Sequence, residues 1–254
     1  MPPDPPAGSR AGSRAPADPL ASLAALEGVP SAFAGTRDGV DAMLRDRGLR
    51  RTPPELTGES LLRGAWASAV LEGSASELEA VRSGAGDDVA RAALRVSVEL
   101  LGLVPTLQRA PLQALARLHS LAGSGEVDES RLGRPRDAEA ADRLRVLAGR
   151  LVAPTSAPAM LVAAVVHAEL ATAAPFASHN GIVARAAERL VLVSRGVDEL
   201  SLLVPEEAHR RLRAEYESNL RAYAGAGGSS GVHAWLLYAA EAYAVAAEAS
   251  PLQG

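Results

Sequence analysis

The chain has 254 residues, a net charge of −4, no cysteine and 26 positive side chains, all of them arginine. That length supports one well-buried domain without a staple, and the lack of cysteine excludes a disulfide framework and a thiolate metal site. The arginines mostly alternate with acids on expected helix faces and form no basic patch for nucleic acid; no apolar run longer than Ala159–Val166 offers a membrane span, and the Met-Pro-Pro-Asp start is no secretory signal, so a cytoplasmic protein is expected.

In chain order, residues 1–18 combine Pro, Gly, Ser, Ala and Arg with almost no large apolar side chain and are expected to form a disordered leader. From Pro19 to Gly254 Ala and Leu dominate, β-branched alternation is missing, and Gly or Pro clusters punctuate stretches of helix length, which predicts a single all-α domain. The predicted helices run over about Leu20–Leu26, Gly39–Arg47, Gly58–Glu72, Ser76–Ser83, Asp87–Leu101, Pro111–Leu121, Ala138–Ala148, Pro158–Ala173, Ile182–Ser194, Pro205–Ala224 and Val232–Ala249. Gly123 to Arg136 reads as the longest internal loop and Gly225 to Gly231 as a break before a last apolar helix. No repeat of 20–50 residues is present, which argues against a solenoid.

The informative stretch is His167 to Arg185, an apolar helix that runs into a turn and out into another helix. Pro175 ends the incoming helix, Phe176 can anchor the turn, and Asn180-Gly181 tolerate positive φ just before the next helix. Backbone N–H groups at a helix N-terminus, with the macrodipole behind them and Arg185 one turn in, make a concave site for an anion such as a phosphate.

Ala174-Pro-Phe-Ala-Ser-His-Asn-Gly-Ile-Val-Ala-Arg185 resembles the Fic motif, His-Pro-Phe-x-Asp/Glu-Gly-Asn-Gly-Arg-x-x-Arg. Pro175, Phe176, Asn180, Gly181 and Arg185 match in register, whereas Ala174 stands for the catalytic His, Ser178 for the metal-binding acid, His179 for a Gly and Ile182 for the first Arg. The resemblance implies a Fic fold with a core over about residues 105–245 and a nucleotide- or phosphate-binding loop at Ser178, His179, Asn180, Gly181 and Arg185. In the family the His takes the proton of a target hydroxyl, the acid holds magnesium on ATP, and AMP passes to a protein side chain. With Ala174 the base is gone, which costs roughly two to four orders of magnitude, and with Ser178 the metal ligand is gone, so efficient AMP transfer is not expected and ATP with magnesium is a possible ligand without its usual metal seat.

A second resemblance is to the family's inhibitory helix, Ser/Thr-x-x-x-Glu-Gly/Asn, carried by Ser68-Ala-Val-Leu-Glu72-Gly73 within an expected helix of about residues 58–73. Ser68 and Glu72 share a helix face and Gly73 suits a left-handed cap. The resemblance pairs Glu72 with Arg185 and would block the place of a nucleotide's γ-phosphate. Leu115 to His119 and Arg131 to Arg136 resemble the family's helix and the loop before its core, and Tyr216 to Trp235 its closing helices.

His167 and His179 are candidate substitutes for the lost base, His167 otherwise serving helix packing. His119, His209 and His233 are scattered along the sequence without metal-ligand spacing, so no metal site is expected. Glu188 follows Arg185 by three and reads as the partner of a surface ion pair, while Glu169 has no such neighbour. Three functions remain open: a binding or regulatory module, a nucleotidyl or phosphoryl transferase with His179 or His167 as base, and a helical scaffold for an unknown protein target.

Overall fold

The structure, a computed structural model, describes residues 18–46, 53–225 and 228–253. Among them lie thirteen α-helices and no strand: α1 Pro19–Ala24, α2 Val29–Asp46, α3 Pro54–Leu71, α4 Leu78–Arg82, α5 Asp88–Glu99, α6 Val104–Arg109, α7 Pro111–Ala122, α8 Ala138–Val152, α9 Ala159–Ala173, α10 Asn180–Ser194, α11 Pro205–Arg211, α12 Arg213–Ala224 and α13 Ser229–Glu248. The all-α expectation holds. The leader expected over residues 1–18 lies outside the described residues except for Asp18, whose carboxylate accepts from the Leu20 and Ala21 N–H groups and so caps α1.

Local chemistry sets the helix starts. Asp87 and Asp137 accept N–H groups of Ala90 and Ala140, at 2.9 and 2.7 Å, as N-caps of α5 and α8. Pro54, Pro111 and Pro205 occupy first helical positions, where the missing N–H is no loss. Several predicted boundaries shift. Helix α2 begins ten residues before the expected Gly39 and carries Gly35 and Gly39 inside it, because Phe33, Val40 and Met43 bury one face and packing outweighs glycine's low propensity. The expected Pro205–Ala224 helix is interrupted at Leu212 (φ −99°, ψ 36°), and α6 was not anticipated.

The core is one cluster of apolar side chains to which α1 and the C-terminal Leu252 both contribute. Its centre is the pair α9 and α10, the most extensively packed pair in the structure. Both are buried nearly all round: α9 from Met160 to Ala168, and α10 from Ile182 to Val193. A helix buried on every side ordinarily carries no polar residue, yet α10 carries Arg185, Glu188 and Arg189, all buried. Those three side chains, and the α9–α10 turn above them, make the candidate site. No helix among the described residues is long and apolar enough to cross a membrane.

Candidate functional site

Helix α9 ends at Ala174, in the left-handed region at φ 41°, and α10 is preceded by His179, also left-handed at φ 57°. The sequence assigned positive φ to Asn180-Gly181. Instead α10 starts at Asn180, two residues earlier than expected, and Asn180 clamps the turn with its side chain: the Phe176 N–H donates to its Oδ1 at 2.9 Å and its Nδ2 donates to the Phe176 carbonyl at 3.0 Å. Phe176 itself is buried and stacks on His119, centroids 4.5 Å apart and planes at 6°. The loop before α8 fastens the other side, since the Arg136 N–H donates to the Pro175 carbonyl and the Arg136 guanidinium to the Ala174 carbonyl, at 2.8 and 2.7 Å. The end of α9, whose last carbonyls lack helical partners, is thus satisfied by a side chain the sequence did not single out.

Arg185 points from α10 toward α3. Its Nε donates to the Ser68 hydroxyl at 2.9 Å, its Nη2 to the Ser68 carbonyl at 3.2 Å and to Glu72 Oε1 at 2.7 Å, and its Nη1 to the Tyr216 hydroxyl at 3.2 Å. The guanidinium is buried and Glu72 is 31% exposed, so the pair stands at the mouth of the site. Glu72 is held there by a Schellman end to α3: the Ser74 N–H bonds the Ala69 carbonyl at 3.0 Å, the Gly73 N–H bonds the Val70 carbonyl at 3.1 Å, and Gly73 takes φ 94°. The carboxylate lies directly on the first turn of α10, where a Cβ added to Gly181 would overlap Glu72 Oε1. An internal carboxylate therefore occupies the anion-favouring end of α10. Ser68, Glu72, Gly181 and Arg185, distant in sequence, are brought together as the resemblance implies; Gly73 contributes the backbone turn, and Asn180 the clamp.

The other candidates divide. Ser178 and His179 project from the turn, with Ser178 Oγ 2.6 Å from His179 Nδ1 and His179 Nε2 3.3 Å from Glu126 Oε2, which comes from the Gly123–Arg136 loop. His167 is fully buried with both ring nitrogens engaged: Nδ1 with Glu188 Oε2 at 2.7 Å and Nε2 with the Tyr216 hydroxyl at 2.9 Å. Glu188 corrects the sequence expectation. It is no surface partner of Arg185 but a wholly buried carboxylate that also meets His209 Nε2 at 3.0 Å and the Tyr243 hydroxyl at 2.8 Å. The i,i+3 spacing misled because α10 exposes no face there. Glu169 likewise has a partner after all, accepting from the Tyr223 hydroxyl at 3.0 Å.

Electrostatics assigns the protons. Burial alone would push the Glu188 carboxyl up, but His167 and His209 beside it hold it well below the usual carboxylate range. Burial keeps His167 below its ordinary value, an effect Glu188 only partly offsets. An ionised Glu188 only accepts, so both imidazoles donate to it, while His167 Nε2 lies 2.9 Å from the Tyr216 hydroxyl and His209 Nδ1 2.8 Å from the Tyr238 hydroxyl. A continuous buried chain of hydrogen bonds thus runs from Glu72 through Arg185, Tyr216, His167 and Glu188 to His209 and Tyr238. The expectation of no metal-ligand grouping is also corrected in geometry: ligand atoms of His167, Glu188 and His209, from α9, α10 and α11, lie within 4.8 Å of one another and form a donor set of the kind that holds a transition metal. Sequence spacing hid them because the three helices that supply them are joined by a turn and a long connection. Tyr216 and Arg136 fall in stretches that the resemblance covers, but no role at the site was assigned to either.

A second buried pair lies one turn down α10. Arg189 donates to both oxygens of Glu206, at 3.0 and 2.6 Å, and to the Ser60 hydroxyl at 3.0 Å. Helix α3 therefore meets α10 through Ser60, Gly64 and Ser68, four apart, with Gly64 so close that a Cβ would stand 2.6 Å from Arg189 Nη2. That spacing of small residues is a signal the sequence did contain.

No protein-family model matches the chain, and no curated protein matches it. Among solved structures it is similar to a Fic family protein from Desulfovibrio desulfuricans G20, with TM-score 0.71, 19% identity, and coverage of 86% of this chain and 73% of that one. It is also similar to a fragment of Fic-1 from C. elegans, with TM-score 0.67, 15% identity, and coverage of 87% of this chain and 71% of that one. The protein is thus an all-helical domain whose Glu72 carboxylate is seated against the first turn of α10 and paired with Arg185. Its fold is the Fic fold.

Proposed function

We propose that the protein is a binding or regulatory module whose α9–α10 turn receives an anion, most naturally the phosphates of a nucleotide, and is held closed by Glu72. The observation that carries the reading is the 2.7 Å Arg185–Glu72 ion pair with its carboxylate seated against Gly181. An arriving phosphate would seek the same N–H groups and the same guanidinium, so it and Glu72 exclude one another. AMP transfer of the kind the Fic motif performs would lack its base at Ala174 and its metal ligand at Ser178. Calorimetry with ATP, with and without magnesium, tests the reading, since a helical scaffold that only contacts another protein would give no heat in either condition.

A transferase reading is favoured by one observation, the placement of His179 in the turn with its Nε2 next to the Glu126 carboxylate, whereas both ring nitrogens of His167 are engaged. Incubating the wild type and Glu72→Gly with labelled ATP, CTP, GTP and UTP decides it. Label on the protein or on lysate proteins supports transfer, and no label in either variant removes it.

A further inference from the structure

Three side chains at the turn form a relay of a different chemistry. Ser178 Oγ lies 2.6 Å from His179 Nδ1, and the opposite nitrogen of the same ring lies 3.3 Å from Glu126 Oε2. Hydroxyl, imidazole and carboxylate in this order are the parts of an activated serine, and the test of such a constellation is geometry and role rather than sequence position. Each member is held. Asn180 locks the turn on Phe176 through two hydrogen bonds. Glu126 stands 3.7 Å from Arg95 Nη2, an arginine fixed by its bonds to the Leu121 and Ala122 carbonyls. The His179 side chain is only 10% exposed, while Ala177 and the Ser178 edge of the turn reach solvent. His179 keeps this place in the left-handed region, a conformation that costs an L-residue roughly 1–2 kcal/mol and that glycine would adopt freely. Next to it, buried His119 accepts the Gly133 N–H at Nδ1, and its Nε2 has no partner among the described residues.

We propose that Ser178 is a nucleophile toward small activated carboxylic esters, with His179 as its general base and Glu126 as the residue that positions the imidazole. Ser178 Oγ attacks the acyl carbon as its proton passes to His179 Nδ1. The tetrahedral intermediate collapses, His179 returns the proton to the departing alcohol, and an acyl-Ser178 ester remains. Water, deprotonated by His179, then attacks that ester and releases the carboxylic acid and free Ser178. None of these steps uses Arg185 or a nucleotide, so the proposal stands or falls apart from the anion-binding reading.

The test is covalent trapping of the full chain with a fluorophosphonate, read by intact mass and by peptide mapping, together with hydrolysis of 4-nitrophenyl acetate. Wild type is expected to take one label, on Ser178, and Ser178→Ala none. His179→Gly is the informative variant, because glycine suits the positive φ and the fold survives; it should label at least about a hundredfold more slowly. Glu126→Gln should slow labelling by a smaller factor and change its pH profile. No label on wild type, a label on another residue, or a Ser178 label that forms as fast in His179→Gly would overturn the proposal and leave the three side chains as a surface hydrogen-bonded pair with a nearby acid.

Discussion

At Ala174 the chain preserves a left-handed backbone without the side chain that the resemblance would require there, and the loop is nonetheless fully organised by Asn180, Phe176 and Arg136. Gly181 is small for a steric reason that sequence could not show, namely the Glu72 carboxylate against its Cα. Gly181→Ala is therefore expected to drive Glu72 off Arg185, which a crystal structure of the variant would show as a broken ion pair. His119 yields a pH prediction. Burial, with the charge of His179 second, lowers it from 6.5 to about 4. The unfolded chain takes up a proton as pH falls through 6.5 and the folded chain does not until about 4, so stability is fully present above that window and declines across it, by about 3 kcal/mol for a shift of this size. Urea unfolding at pH 7, 5.5 and 4 should show that decline, and His119→Gln should flatten part of it.

At the scale of elements, α3 and α10 are joined by polar side chains rather than by an apolar seam. Ser60, Gly64 and Ser68 on one helix receive Arg189 and Arg185 on the other, and the arginines are paired with acids, Arg189 with Glu206 of α11 and Arg185 with Glu72 at the end of α3. The two pairs differ in exposure, and the difference sets their roles. Glu206 is 6% exposed, so Glu206→Ala leaves a buried guanidinium unpaired and is expected to cost about 3–5 kcal/mol by thermal or urea unfolding. Glu72, at 31% exposed, is the less buried of the two acids, and its removal is expected to cost less than that of Glu206. Gly64→Ala should destabilise by about 1–3 kcal/mol, since the added methyl meets the Arg189–Glu206 pair. Helix existence was legible from Ala/Leu periodicity and Gly/Pro punctuation, and the α9–α10 turn from its motif, because those signals are local. Long-range partnerships were not: Glu188 reads as a surface acid by its spacing from Arg185, and only the burial of α10 on every side makes it the hub of two histidines and three tyrosines' worth of core.

The molecule as a whole carries three of its buried charged groups, Arg185, Glu188 and Arg189, on its central helix α10. Helix α10 packs against α3, α5, α6, α7, α9 and α11, so none of these helices can leave without exposing it. A single calorimetric unfolding transition is the expected result, and two separated transitions would contradict the single helical domain read from the sequence. The likeness to Fic structures at 15–19% identity is one of helix arrangement, with TM-scores of 0.71 and 0.67. The central claim is that Glu72 and an incoming anion compete for Arg185 and the start of α10. It is tested most directly by calorimetric titration of ATP into wild type, Glu72→Gly and the double variant Glu72→Gly/Arg185→Ala. The account predicts that Glu72→Gly binds at least about tenfold more tightly than wild type, a gain of about 1.4 kcal/mol, and that the double variant loses it. Equal affinity in wild type and Glu72→Gly, or no binding in either, would contradict it.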